Sequence, residues 1–197
     1  MKRLLAYFSA VIACVVMVGC AHPINMNPDL AALQPAAGKT VINKKVGYFM
    51  PDSLRTMEVT TPGGGGDKVR YFPYRDLEPG LYKALSEVFV SVNKLSNAND
   101  PADLKAGAIK LVILPEIATT SSSSSPFTWP PTAFSVDLTC NINDDSGKLV
   151  KSVKVTGNGN ASFDEFKSNF SLASVRASND ALAKLIQALA DTPELRK

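Results

Sequence analysis

The chain has 197 residues, 45% of them hydrophobic and 20% charged, with a formal net charge of +3. Lys2 and Arg3 account for two of its 21 basic residues, so 19 basic residues face 18 acidic ones over the rest of the chain, a net charge of +1. That near-balance argues against nucleic acid as a partner and points to no strongly acidic or basic one.

Lys2 and Arg3 open the chain, and Leu4 to Met17 follow as an apolar run of fourteen residues. A membrane span needs about 20 apolar residues, so this run has the length and flanks of an export signal instead. Met17-Val18-Gly19-Cys20 ends it and resembles the lipobox of bacterial lipoproteins. The reading is a signal peptide over 1–19 and a diacylglycerol on the Cys20 thiol. Ala21 rather than Asp follows Cys20, which in proteobacterial lipoproteins implies sorting to the outer membrane. The expected location is therefore its periplasmic face, with the membrane as partner through the lipid. Of the other cysteines, Cys14 leaves with the signal and Cys140 is left alone, so no internal disulfide is expected.

Residues 20–45 carry Pro23, Pro28 and Pro35 without sustained periodicity, and read as the lipidated cysteine followed by a flexible tether. Twenty such residues extended would reach roughly 60 Å. A single periplasmic domain is expected over 46–197, since about 177 residues after Cys20 make one core and not two.

Within that domain Val46 to Met50 is the first expected strand, closed by Pro51. A helix is expected over Asp76 to Leu95, where Leu77, Leu81, Leu85, Val88, Phe89, Val92 and Leu95 recur at steps of three and four. Asp76 suits its N-cap. Ile109 to Ile117 is nearly continuous apolar sequence, as in a strand covered on both faces. Phe134 to Ile142 alternates apolar and polar residues, and Leu149 to Thr156 returns after the turn Asn143 to Gly147 as its hairpin partner. A last helix runs from Leu172 to Ala190 and stops before Pro193. The resulting order, β-α-β-β-β-α, is a two-layer α+β sandwich with two helices on one face of a small mixed sheet.

The lipobox, Arg75-Asp76-Leu77 opening the first helix, the hairpin around Asp144 to Gly147 and Val155-Thr156-Gly157 together resemble the YajG-like family of bacterial lipoproteins. The layout is also similar to the small α+β domain of the curli-channel lipoprotein and to the amino-terminal TolB domain. The resemblance implies an envelope lipoprotein but no reaction, and two stretches depart from it, Pro51 to Tyr74 and Thr119 to Pro131.

The residues themselves argue little chemistry. The only histidine, His22, lies on the expected tether, where no imidazole could be held beside a nucleophile. A zinc site would have only His22 and Cys140 to draw on. Gly63-Gly64-Gly65-Gly66-Asp67-Lys68 lacks the Ser or Thr of a phosphate loop, since Val69 follows Lys68. No catalytic residue, cofactor or metal is expected, and the chain reads as non-enzymatic. It reads as a binding or scaffolding module, with an envelope protein or a second copy as partner; a lipid or lipopolysaccharide carrier is the alternative. Strand directions bring Pro51 to Tyr74, Thr119 to Pro131 and Gly157 to Phe170 to one pole, expected to lie distal from the membrane. Its aromatics, Tyr71, Phe72, Tyr74, Phe127, Trp129, Phe163 and Phe166, form the candidate partner surface.

Overall fold

A computed structural model describes residues 21–62, 68–98, 100–123 and 132–197. In chain order these form β1 (Ala21–Pro23), β2 (Ile42–Tyr48), α1 (Asp52–Arg55), β3 (Val59–Pro62), β4 (Lys68–Tyr71) and α2 (Pro73–Val88). Then come β5 (Phe89–Lys94), α3 (Pro101–Ala106), β6 (Leu111–Ser122), β7 (Ala133–Asp144), β8 (Leu149–Asn160), α4 (Phe163–Ser168) and α5 (Leu172–Ala190). The main sheet runs in the order β5-β2-β6-β7-β8, and a three-stranded sheet in the order β1-β4-β3. β5, β2 and β6 are parallel, while β6, β7 and β8 form an antiparallel meander. The fold is α+β, with both long helices on one face of a mixed sheet.

The alternation in β7 fixes which side is core. Phe134, Val136, Leu138, Cys140 and Ile142 are buried, and Ser135, Asp137, Thr139 and Asn141 face the other side, where Asp137 and Asn141 bond across to Thr156, Glu116 and Ser152. Leu77, Leu81 and Leu85 of α2 and Leu182, Leu185 and Leu189 of α5 join the same core. A smaller cluster of Leu95, Leu104, Ile109 and Val112 lies on the opposite face, since Val112 alternates with Leu111 and Ile113 of the main core. α5 lies unusually close to β8. A Cβ built on Gly157 would sit 2.2 Å from the Ala177 carbonyl oxygen, and one on Gly159 would sit 2.0 Å from that of Ala173. Helix side chains also cover the outer edge of β8: Asp180 accepts the Asn158 N–H, while Lys184 and Arg176 donate to the carbonyls of Thr156 and Asn160. Capping those groups closes the edge to further strands.

Three expectations are corrected. The helix expected to reach Leu95 ends at Val88, and Phe89–Lys94 becomes edge strand β5 beside β2. Its spacing continues the helical stripe, but the run Phe89-Val90-Ser91-Val92 has the β-branched and aromatic content that favours a strand. Asp76 is not the N-cap; α2 starts at Pro73, whose missing N–H costs nothing there. The Asp76 carboxylate is buried and accepts the Met26 N–H at 3.3 Å and the Arg75 Nε–H at 3.1 Å.

The stretch read as a tether is the third. From Ala21 onwards it packs on the domain as a strap along the whole of α5. Asn25 bonds through its N–H and carbonyl to Ser171 and Ser174, and the Asp29 N–H reaches Asn179. Lys39 then pairs with Asp191 at 2.7 Å, and Arg196 donates to the Thr40 carbonyl. Met26 and Leu33 are buried in the main core. An irregular segment can be buried wherever side chains satisfy its backbone, and those partners lie too far away in sequence for local composition to reveal them.

Candidate functional site

The three segments expected at one pole do meet there at their described ends. Thr61 bonds Ser121, the Tyr71 hydroxyl bonds Thr119 at 2.7 Å, and Ala133 pairs with Asn160. The aromatics divide by burial. Tyr71 is core, edge-on to Phe134 at 5.2 Å between centroids. Tyr74 is also core, and its hydroxyl accepts the Ile117 N–H. Phe166 on α4 is buried as well, so these three are not surface; the β4 alternation turns Tyr71 inward and the α2 stripe turns Tyr74 inward. Phe72 is half-buried beneath the Arg75 guanidinium, 3.8 Å from its ring centre. Phe163 is exposed, at 51%. Phe127, Trp129, Cys20 and the Gly63–Gly66 run lie outside the described residues.

Phe170 joins Phe163 on this surface and was not singled out from sequence. It is 48% exposed and stacks on Phe166 at 4.8 Å between centroids. The readable signal is a phenylalanine in the short link between two helices, where few neighbours remain to bury it. α4 carries Phe163 and is fixed in place by a capping box between Ser162 and Glu165. Arg176 on α5 holds the same carboxylate through two bonds of 2.8 and 3.1 Å.

The Arg176 guanidinium, aided by the Ser162 N–H, holds the Glu165 carboxyl down at about 2, against an ordinary 4.5. Because the folded value is the lower one, the stabilisation is complete above pH 4.5 and is lost as pH falls towards 2. Thermal melts across that window should fall in wild type and fall less in Arg176→Met. The effect is small, because the pair is exposed to solvent. Identical acid slopes for the two proteins would exclude the pair as a cause.

The strap alters the orientation of this pole. Ala21 pairs with Lys68, at the end of β4 that faces Pro62 of β3. Ala21 therefore lies at the pole that carries Phe163 and Phe170, not at the opposite one. The expected arrangement assumed that the chain enters β2 directly, whereas it first runs the length of α5.

A second candidate lies at the end of β2. Phe49, Met50, Pro51, Arg55, Lys94 and Leu95 line a cleft of about 590 Å³. Beside it Glu78 Oε1 accepts bonds from Arg55 at 3.0 Å, Lys94 at 3.1 Å and the Tyr48 hydroxyl at 3.0 Å. Burial, with the Glu78 carboxylate close by, pushes the Tyr48 phenol up, so it stays protonated and donates. The cleft has apolar walls, Asp52 also lines it, and its two cations, Arg55 and Lys94, are already paired with Asp52 and Glu78. Burial pushes the Cys140 thiol up to about 12, which removes its nucleophilicity in the folded state. Among the described residues no three His, Cys, Asp or Glu side chains converge to hold a metal ion. Nor is any described helix long and apolar enough to cross a membrane.

No protein-family model and no curated protein matches the sequence. Among solved structures, a PelC dodecamer from Paraburkholderia phytofirmans is similar at TM-score 0.44 and 13% identity, over 81% of this chain and 94% of that one. Protein XCC0632 from Xanthomonas campestris, of the family DUF330, is similar at TM-score 0.52 and 11% identity, over 87% of this chain and 92% of that one. That likeness shows a shared α+β fold.

Proposed function

We propose that the chain is a lipoprotein anchored through Cys20 to the periplasmic face of the bacterial outer membrane, where it serves as a non-enzymatic binding or scaffolding module of the envelope. Kinship with the YajG-like lipoproteins is part of the proposal. One observation carries it: a basic start at Lys2 and Arg3, a fourteen-residue apolar run and the sequence Met17-Val18-Gly19-Cys20 follow one another in that order. A thiol placed directly after such a signal is what lipid transfer followed by cleavage requires. Of the expected contact surface Phe163 stays exposed, and Phe170 joins it.

Cys20→Ser should abolish incorporation of labelled palmitate and leave a precursor retaining 1–19. Labelled palmitate on the substituted protein would refute the anchor. The carrier reading is favoured by the apolar walls of the cleft at Phe49, Met50 and Leu95. Extraction of the purified wild-type protein with organic solvent separates the two: a stoichiometric, non-covalently bound lipid supports the carrier, and its absence supports the scaffold.

A further inference from the structure

We infer that the pole carrying Phe163 and Phe170 docks onto the phospholipid bilayer that holds the Cys20 lipid, an inference that rests on the anchor proposed above. The argument is one of reach. Asn25 is bonded to Ser171 and Ser174, next to Phe170. From Asn25 back to Cys20 the chain takes five steps, at most about 18 Å when fully extended. Ala21 to Pro23 are themselves laid against β4 as β1, so little of that length is slack. The other pole, at the turn after β7, is about 40 Å away along a twelve-residue strand. An acyl chain on Cys20 therefore draws the Phe163 end to the membrane and leaves the hairpin turn pointing away from it.

The surface presented there has the composition of an interfacial contact. Phe163 and Phe170 are both about half exposed; Phe170 stacks on the buried Phe166, and Phe163 lies tilted beside the same ring at 6.5 Å between centroids. Lys167 lies over the Phe163 ring at 4.5 Å while pairing with Asp164 at 3.0 Å, and Lys68 is the register partner of Ala21. Aromatic rings beside lysines are what partitions into the headgroup boundary, sinking about 5–10 Å. The two acyl chains of a diacylglycerol already suffice for stable anchoring, so the rings would set how the domain lies on the bilayer rather than whether it stays there.

The test uses the full, processed chain in vesicles of phosphatidylethanolamine and phosphatidylglycerol containing nitroxide-labelled lipid. Ser168→Cys reports on the docking pole and Ser146→Cys on the hairpin turn, each labelled with bimane; Cys140 is buried and stays unlabelled. Quenching several-fold stronger at position 168 than at 146, and reduced in a Phe163→Asp, Phe170→Asp background of unchanged melting temperature, is the expected result. Phe163→Ser alone serves if the double variant unfolds. Equal quenching at both positions in palmitate-bearing protein overturns the docking and leaves the anchor standing. Strong quenching at 168 without palmitate does the reverse, and neither signal overturns both. Self-association that depends on Phe163 and Phe170, with no quenching, would make this face an interface between copies and overturn the inference.

Discussion

Gly159→Ala is expected to destabilise the domain by about 3 kcal/mol or more, a large effect for one methyl group. The added Cβ would lie 2.0 Å from the Ala173 carbonyl oxygen and 2.4 Å from the Ala177 nitrogen. Both are backbone atoms of α5, so no rotamer can move aside and the helix itself must lift. Lifting it would also pull Asp180, Lys184 and Arg176 away from the edge of β8. Alanine stiffens the unfolded chain, which favours folding by about 0.4–1 kcal/mol where the site accepts it; the clash outweighs that gain. Gly157→Ala should behave alike, against Ala177 and Ala181. Urea unfolding of these variants beside Ser152→Ala, on the solvent side of the same strand, gives the comparison. A midpoint for Gly159→Ala matching that of Ser152→Ala would mean that α5 does not lie on these glycines.

Leu138→Ala should cost about 2–5 kcal/mol, as large-to-small changes in a packed core do. Leu138 is fully buried at the middle of β7, in register with Ile117 on one side and Val155 on the other. Thr139, one residue on, points to the other face between Glu116 and Lys154. Thr139→Ala should therefore stay within about 0.5 kcal/mol of wild type. Equal shifts for the two in urea would contradict the register, because a one-residue slip exchanges the faces of the strand.

These two positions also show what the sequence carries and what it does not. The β7–β8 hairpin and α5 were legible because their periodicity is local: alternation in one, and a stripe of Leu182, Leu185 and Leu189 in the other. Strand β5 was not, since the steps from Val88 to Phe89, Val92 and Leu95 continue the helical stripe and only pairing with β2 decides otherwise. The strap was hidden for a different reason. Its partners Ser171, Ser174, Asn179 and Asp191 lie at the far end of the chain, and no local pattern announces a long-range bond. At the candidate site the convergence of the three segments followed from strand direction alone. Which rings are exposed did not: Tyr71 and Tyr74 turn inward because of β4 and α2, while Phe170 stays out because two helices leave it between them.

The strap has a consequence for the order in which the molecule can form. Its bonds join residues far apart in the chain, Asn25 to Ser171 across 146 positions and Thr40 to Arg196 across 156. No shorter piece of the chain contains both sides of that closure, so the native state waits for the last helix to arrive. Contacts of such separation slow folding, because a large loop must close before any of them is rewarded. For a chain that is threaded through a membrane from its N-terminus, slow closure is useful. Under the export proposed above, Met26 and Leu33 would remain without their core until α5 had followed them across, and the polypeptide would stay unfolded, and so threadable, until its translocation was nearly complete.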